Sequence, residues 1–292
     1  MTKKHLVFII NPKSGVDRQK EIKQGIDNNL DVNQFSYEIK HTEYAKHGTV
    51  LAKEAAQNNA YAVVAVGGDG SVNDIVQGLL DTETILAIIP KGSGNGMART
   101  LGIPLDTNEA IKVINKNNVA PMDIGFANNR AFISNAGVAF DALISKKFAK
   151  STRRGLLMYS WLITKYMWLY RSWDWDITID GKAIKERAFV VNVANGQQFG
   201  YNFRIAPMAS YSDGMLDLVI IKRFPKILGA SLAIRGLTGT ILGSPFVKHY
   251  SGKEITVSNP SLALMQRDGD AHACEPIVHF KVKQGGQKII AP

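Results

Sequence analysis

Three apolar runs in the first hundred residues each end in a glycine-containing turn, and this pattern limits the folds that the chain can adopt. They are HLVFII (5–10), YAVVAV (61–66) and ILAII (85–89). Runs of this length bounded by turn residues predict buried strands. Residues 35–41 predict a further strand, and residues 17–30, 48–58 and 72–80 have the patterns of helices. Strands that alternate with helices predict a parallel sheet with crossover helices, so we expect an α/β domain over roughly the first 115 residues.

The pattern changes after Asn117. Helical periodicity becomes sparse, and five segments predict strands: 173–179, 187–194, 216–221, 254–257 and 277–282. The pair Asp180-Gly181 favours a hairpin turn. Residues 156–170 and 227–242 are apolar and predict helices, but the first is too short to span a bilayer and contains Lys165. We predict a mainly antiparallel second domain over 121–282, with residues 1–120 as the first domain. Whether 283–292 complete the first domain stays open.

Composition narrows the class of protein. A chain of 292 residues with 45% apolar residues fits about two folded domains. Its net charge of +10 favours nucleotides, nucleic acids or an anionic membrane as partners, although a solvated basic surface is an equal alternative. Cys274 is the single cysteine, and the first apolar run is too short for a secretory signal. We therefore expect a cytoplasmic protein.

The glycine-containing turns predict a phosphate site. They are NPKSG (11–15), GGDGSVND (67–74) and GSGNGMAR (92–99), and each follows a predicted strand. Carboxyl ends of parallel strands meet at one edge of a sheet. Glycine lets the backbone approach phosphate oxygens, and helix N-termini supply amide donors. Such turns also serve as plain tight connections, and the chain has neither a GxxxxGK[ST] loop nor a well-placed GxGxxG.

Asp69 is the acid in the second turn, among Gly67, Gly68 and Gly70. A carboxylate beside phosphates suits magnesium binding or orientation of a hydroxyl group. The alternative role is to cap the helix predicted to begin near Val72. We favour the functional role.

These motifs resemble the diacylglycerol kinase catalytic domain. GGDGSVND is similar to GGDGTxNE of that family, NPKSG to NPxSG, and PKGSGNGMARTLGIP (90–104) to PxGTxNDFARxLGIP. Further similar motifs follow in the family's order: MDIG (122–125), NAGVAFDA (135–142), IAPMASYSDGMLDL (205–218) and DGD (268–270). The resemblance covers nearly the whole chain. GGDG alone would be weak, because NAD kinases and phosphofructokinases share it.

The resemblance implies an ATP-dependent lipid kinase. Its implied fold is an α/β nucleotide domain, like that of NAD kinase and phosphofructokinase, followed by a β-sandwich with the cleft between them. It further implies that ATP and Mg²⁺ are the cofactors. The implied nucleotide contacts are Asn11, Pro12, Lys13, Ser14, Gly15, Thr42, Gly68, Asp69, Gly70, Ser71, Val72, Asn73, Asp74 and Ser93.

Two further sites follow from the resemblance. Asp270 occupies the position of the proposed proton acceptor, although the family commonly has a glutamate there, so Asp69 remains a rival for the base. The stretch around Asp213 resembles a structural magnesium site, with the Asp213 carboxylate and the carbonyls of Ser210 and Met215 as ligands. Without the resemblance, a β-turn is the preferred interpretation of residues 212–214.

The partners are less constrained. GSGNGMA (92–98) is closer to the sphingosine kinase pattern GSGNALA, so the lipid is a diacylglycerol or a sphingoid base. Segments 146–171 and 227–250 combine basic and apolar residues that would suit peripheral contact with an anionic membrane, or else pack over the second domain's sheet. We expect no nucleic-acid partner and no zinc site. The oligomeric state stays open, with a homodimer as one alternative. An NAD kinase and an inactive nucleotide-binding or membrane-surface module are the competing functions.

Overall fold

Two units make up the chain in the computed structural model, which describes residues 2–12, 19–152 and 155–292. The first unit comprises Met1–Met122 with Gly285–Pro292, and the second comprises Asp123–Gln284. Two strands are divided between the units: β5 (Val119–Ala127) begins in the first unit and ends in the second, and β17 (Ile277–Ile290) begins in the second and ends in the first.

The first unit alternates strands with helices. Its elements are β1 (Lys4–Ile10), α1 (Gln19–Asn29), β2 (Phe35–His41), α2 (His47–Gln57), β3 (Ala62–Gly67), α3 (Asp69–Leu79), β4 (Ile85–Pro90), α4 (Gly96–Thr100) and α5 (Thr107–Lys116). The strands pair in parallel in the order β2-β1-β3-β4, and Ile289 of β17 pairs in parallel with Leu86 of β4. Every residue of β3 and β4 is buried, as expected where helices cover both faces of a parallel sheet.

Local signals set the ends of helix α5. The Asp106 carboxylate accepts hydrogen bonds from the backbone amides of Asn108 and Glu109, which satisfies two free donors at the helix N-terminus. Asn117 ends the helix in the left-handed conformation. Its apolar residues occupy one face of the helix and are buried: Ala110, Ile111, Val113 and Ile114.

The second unit consists mainly of antiparallel strands. Its elements are β5 (Val119–Ala127), β6 (Arg130–Phe132), β7 (Asn135–Gly137), α6 (Phe140–Ala149), α7 (Leu156–Leu169), β8 (Trp173–Ile179), β9 (Lys182–Ala194), β10 (Gln198–Gly200), β11 (Phe203–Arg204), β12 (Leu216–Lys222), α8 (Gly229–Thr238), β13 (Val247–Gly252), β14 (Glu254–Ser258), β15 (Leu264–Arg267), β16 (Asp270–Ala273) and β17 (Ile277–Ile290). Strand β9 pairs with β7, β8 and β12. One apolar cluster lies among the strands around Phe132 and Phe280, and another lies beneath the helices around Phe140 and Phe189.

Two sequence predictions about elements were wrong in detail, and three helices were not predicted. The unpredicted helices are α4, α5 and α6, although in α6 Phe140, Ile144 and Phe148 recur at the helical spacing of four residues. Residues 227–242 form α8 between two short 3₁₀ turns, because Gly239 adopts a positive φ of 74° and ends the helix. Helix α3 begins at Asp69 rather than near Val72. Among the described residues, no helix has the length and apolar content needed to cross a bilayer.

Candidate active site

The predicted phosphate turns meet at one edge of the first unit's sheet. Ile10 is paired with both Val66 and His41, and Gly67 with Pro90, so β1, β2, β3 and β4 end at the same level. The residues that follow these ends therefore lie together. The predicted parallel sheet led us to expect this meeting, and the structure adds the strand order β2-β1-β3-β4.

A cavity of about 220 Å³ lies at this edge. Four of the predicted nucleotide contacts line it: Asn11, Thr42, Ser71 and Asp74. The Asn11 side-chain amide donates a hydrogen bond to the Ser71 hydroxyl oxygen at 3.2 Å, which joins the first turn to helix α3. Pro12 adjoins Asn11, whereas the predicted contacts Lys13, Ser14 and Gly15 lie outside the described residues.

The second and third turns touch through their backbones. A Cβ atom added at Gly92 would lie 2.5 Å from the Gly68 Cα atom, so no larger residue fits without displacing a turn. The backbone amide of Lys91 also donates to the Gly67 carbonyl at 2.8 Å. In contrast, a Cβ added at Gly70 would meet nothing within 4 Å. Gly68 and Gly92 therefore allow the second and third turns to pack closely, whereas there is open space beside Gly70.

Asn95 shapes the third turn and was missed by the sequence analysis. Its side-chain amide donates to the Gly92 carbonyl at 2.7 Å, and its side-chain oxygen accepts from the Gly92 amide at 2.8 Å. Asn95 is buried and has a positive φ of 51°. Asparagine tolerates this conformation better than most residues and can bond to nearby backbone, so the Gly-Asn pattern was the available signal.

Asp69 lies in the second turn and contacts the third. It is the first residue of α3, whose N-cap is Gly68, and its carboxylate accepts a hydrogen bond from the Met97 backbone amide at 3.2 Å. Asp69 thus caps α4, a different helix from the one expected near Val72. Its negative charge lies beside two helix N-termini, where backbone dipoles stabilise an anion.

The other predicted contacts have differing environments. Ser93 is exposed in the third turn, whereas Val72 is buried in the core. Asn73 accepts a hydrogen bond from the Gln77 side chain within α3. The structure also places Tyr44 and Lys46 in the cavity wall, two residues that no sequence motif indicated.

Asp270 lies in the second unit at the start of β16, where it is exposed. The preceding Asp268 and Gly269 have positive φ angles of 48° and 89°, and Arg267 pairs with Asp270 across the turn. This is a two-residue hairpin of the type that Asp-Gly favours. The Asp270 carboxylate is therefore accessible to solvent.

The predicted magnesium ligands also lie in the second unit. Asp213 is exposed, and its pKa is raised by partial burial and by the negative charges of Asp217 and Asp123. A cation there would offset this excess of negative charge, and the oxygen ligands of Ser210, Asp213 and Met215 suit Mg²⁺. The residues therefore fit the ion. Since no three acidic, His or Cys side chains form a metal site among the described residues, such a cation would need those backbone carbonyls.

Comparison with known proteins identifies the family. Residues 5–127 match the model of the diacylglycerol kinase catalytic domain, and residues 134–290 match that of the YegS C-terminal NAD kinase beta sandwich-like domain. The chain belongs to the lipid kinase family defined by these two domains. The predicted fold class, an α/β domain followed by a β-sandwich, is confirmed.

Individual members of this family are distant relatives of the chain. A diacylglycerol kinase of Bacillus subtilis is 28% identical over 90% of this chain and 88% of its own length. A protein of Chromohalobacter salexigens named "Probable lipid kinase YegS-like" is 28% identical over 76% of this chain and 74% of its own length. The crystal structure of a diacylglycerol kinase from Bacillus anthracis matches with a TM-score of 0.76 at 24% identity, covering 100% of this chain and 98% of that one. At this identity the structural match supports the fold alone.

Proposed function

We propose that the protein transfers the γ-phosphoryl group of ATP to the hydroxyl group of a lipid, either a diacylglycerol or a sphingoid base. The observation that carries this proposal is the meeting of the turns at the cavity edge. Backbone amides, an open Gly70 and the helix N-termini near Asp69 together suit a triphosphate. Asn11, Thr42, Ser71 and Asp74 would contact the nucleotide in the cavity.

The proposed chemistry needs one proton acceptor. As the lipid oxygen bonds to the γ-phosphorus atom, the bond from that phosphorus to the β,γ-bridging oxygen breaks and ADP leaves. The hydroxyl proton passes to the Asp270 carboxylate, which we favour as the base because it is exposed and occupies the position of the family's proposed proton acceptor; Asp69 remains the rival. A nucleotide-bound Mg²⁺ near Asp69 would neutralise charge on the phosphate oxygens. The proposed Mg²⁺ site at Asp213 is separate and would have a structural role.

The lipid substrate requires contact with a membrane, and one side of helix α7 suits that contact. Leu157, Trp161 and Trp168, which share one side of the helix, are 89%, 53% and 61% exposed, whereas Leu162 is buried. The helix therefore packs with one face and leaves apolar residues on the other, so packing over the sheet does not account for all of them. Lys165 lies over the Trp161 ring at 4.8 Å, which adds positive charge to this face.

Helix α8 extends the same surface within the second unit. A Cβ added at Gly229 would lie 2.5 Å from the Met167 sulfur atom, so the start of α8 touches the end of α7. Ile227 and Ile234 are 81% and 61% exposed nearby. Apolar side chains interspersed with Lys and Arg match an anionic lipid surface. We infer that this surface makes peripheral contact with the cytoplasmic side of a membrane. Arg153 and Arg154 were also expected to contribute, and they lie outside the described residues.

A single incubation tests the proposed activity. The purified protein is mixed with γ-labelled ATP, Mg²⁺ and, in separate reactions, a short-chain diacylglycerol, a sphingoid base and NAD. Label in either lipid supports the proposal. Label in NAD would instead identify an NAD kinase, and ATP binding without any labelled product would identify an inactive nucleotide-binding module.

A further inference from the structure

The turn that carries Asp270 is tied to a neighbouring segment by Asp268. The two oxygens of the Asp268 carboxylate accept hydrogen bonds from three successive backbone amides: Ile133 at 2.8 Å, Ser134 at 2.7 Å and Asn135 at 3.1 Å. The backbone amide of Asp268 donates in return to the Asn135 carbonyl at 2.8 Å. Bonds between a charged acceptor and backbone amides are among the stronger hydrogen bonds in proteins, so Asp268 fixes the turn relative to residues 133–135.

A second set of hydrogen bonds holds the turn from the side of Gln266. The Gly269 amide donates to the Gln266 side-chain oxygen at 2.9 Å, and the Gln266 amide donates to the Asn135 side-chain oxygen at 2.7 Å. Gln266 and Asn135 are both buried. Asn192, also buried, donates to the Asp141 carboxylate at 3.0 Å and to the Asn135 side-chain oxygen at 3.3 Å. The turn therefore rests on a connected, buried polar network rather than on strand pairing alone.

We propose that Asp268 is a positioning residue for the reaction: its bonds to the amides of 133–135 hold Asp270 in the orientation that proton acceptance requires. This inference rests on the proposed function, in which Asp270 is the base. Asp270 is only two residues from Asp268 and is the first residue of β16. Loosening the turn therefore displaces the Asp270 carboxylate. A misplacement of about 1 Å can reduce a rate by about 10²-fold.

The chain supplies a matched control in a second Asp-Gly hairpin. Asp180 and Gly181 have φ angles of 45° and 83° and connect β8 to β9. The Asp180 carboxylate accepts from the backbone amides of Lys253 at 3.0 Å and Glu254 at 2.9 Å, and its own amide donates to the Glu254 carbonyl. Asp180 thus makes the same kind of bonds as Asp268, but its turn carries no predicted site residue.

The test compares Asp268→Asn with Asp180→Asn. In each variant an NH₂ group replaces one carboxylate oxygen and faces a backbone donor, so we expect both to lower the melting temperature to a similar degree. Only Asp268→Asn should reduce kcat, by about 10- to 100-fold, with the KM for ATP within twofold of wild type. Amide hydrogen exchange at 133–135 and 270–273 should accelerate in Asp268→Asn and stay unchanged in Asp180→Asn.

The positioning role of Asp268 and the proposed activity with Asp270 as its base are contradicted by different results. If Asp270→Asn is inactive but Asp268→Asn has normal kcat, or if exchange at 133–135 and 270–273 is unaltered in Asp268→Asn, the positioning role is wrong while the proposed activity stands. Equal losses of kcat in Asp268→Asn and Asp180→Asn would show a structural effect only, which also overturns it. If wild-type protein labels no lipid, or if Asp270→Asn keeps its activity, the proposed base is lost and the positioning role falls with it.

Discussion

The Asp69 carboxylate accepts a hydrogen bond from the Met97 backbone amide at 3.2 Å, across two glycine-containing turns that are separate in the sequence. One side chain therefore fixes the third turn against the second. Because Gly68 and Gly92 also touch, the backbones of the two turns form one continuous surface.

Asp69 should be needed for activity beyond its role as a cap. Asp69→Ala and Asp106→Ala each remove a carboxylate that caps a helix, so each should cost about 0.5–2 kcal/mol of stability. Only the Asp69 variants should lose activity, by about 10³-fold or more, because phosphate and metal placement both suffer. Asp69→Asn, which keeps a capping oxygen, should be stable and still inactive. Urea unfolding measures the loss of stability, and the lipid phosphorylation assay measures the loss of activity. If the Asp69→Asn variant is active, Asp69 serves only as a helix cap.

Gly70 should separate nucleotide binding from stability. Gly70→Ala places a methyl group in open space within α3 and should leave the melting temperature unchanged or higher, because alanine favours helix. The same methyl group should weaken ATP binding by about tenfold or more if phosphates approach the turn. The control is Gly78→Ala, whose Cβ would lie 2.3 Å from the Thr49 carbonyl oxygen. It should lower stability and leave ATP affinity intact. Titration calorimetry measures the ATP affinity of each variant. Equal affinities for Gly70→Ala and wild type would contradict the prediction that phosphates bind beside Gly70.

Asp270→Asn should keep the fold and ATP affinity and reduce kcat by about 10²–10⁴-fold, since the amide cannot accept the hydroxyl proton. Asp176→Asn is the control, because Asp176 is also an exposed acid of the second unit and its partner is Lys185. It should have normal kcat. Steady-state kinetics with the lipid that the wild type accepts measure both. Turnover of Asp270→Asn within a few-fold of wild type would remove Asp270 from the role of base.

Magnesium at Asp213 should stabilise the second unit in a pH-dependent way. The raised pKa means that ionising Asp213 costs stability as the pH rises from the unfolded value of 3.8 through the folded pKa, and the cost is fully present at neutral pH. Millimolar Mg²⁺ should therefore raise the melting temperature of the wild type at pH 7 and should do so less as the pH falls toward the folded pKa.

The control for the magnesium site is Asp174→Asn, an exposed acid elsewhere in the second unit. It should retain the Mg²⁺-dependent shift, whereas Asp213→Asn should lose it and melt at or above the metal-free wild-type temperature. Scanning fluorimetry with and without chelator gives both readings. An undiminished shift in Asp213→Asn would place the ion elsewhere.

The exposed face of α7 should determine membrane binding. Trp168→Glu replaces an apolar contact with a negative charge and should reduce binding to phosphatidylglycerol vesicles by about tenfold or more, because both the apolar and the electrostatic contributions are lost. Val32→Glu introduces the same charge at an exposed apolar residue of the first unit and should bind normally. Vesicle sedimentation measures binding. Equal binding to phosphatidylcholine and phosphatidylglycerol would rule out the anionic surface.

Sequence patterns were enough to predict β1–β4 and α1–α3 of the first unit and the residues at its sheet edge, whereas α4 and α5 were not predicted. Apolar runs and glycine turns are local signals, so β1, β3 and β4 lie within a residue or two of their predicted positions. The same locality explains the Asp180-Gly181 hairpin, whose positive φ angles the residue types favour. The family motifs, which cover the whole chain, also gave the candidate acids Asp69, Asp213 and Asp270 before any contact was known.

Only the tertiary structure decided which of these residues act together. The bond from the Met97 amide to Asp69 and the bonds from three amides to Asp268 join positions up to 135 residues apart. Such bonds depend on strand order and on how turns pack, and neither is encoded in a local pattern. The exposed face of α7 follows the same rule, because burial is set by what the rest of the chain places against a segment.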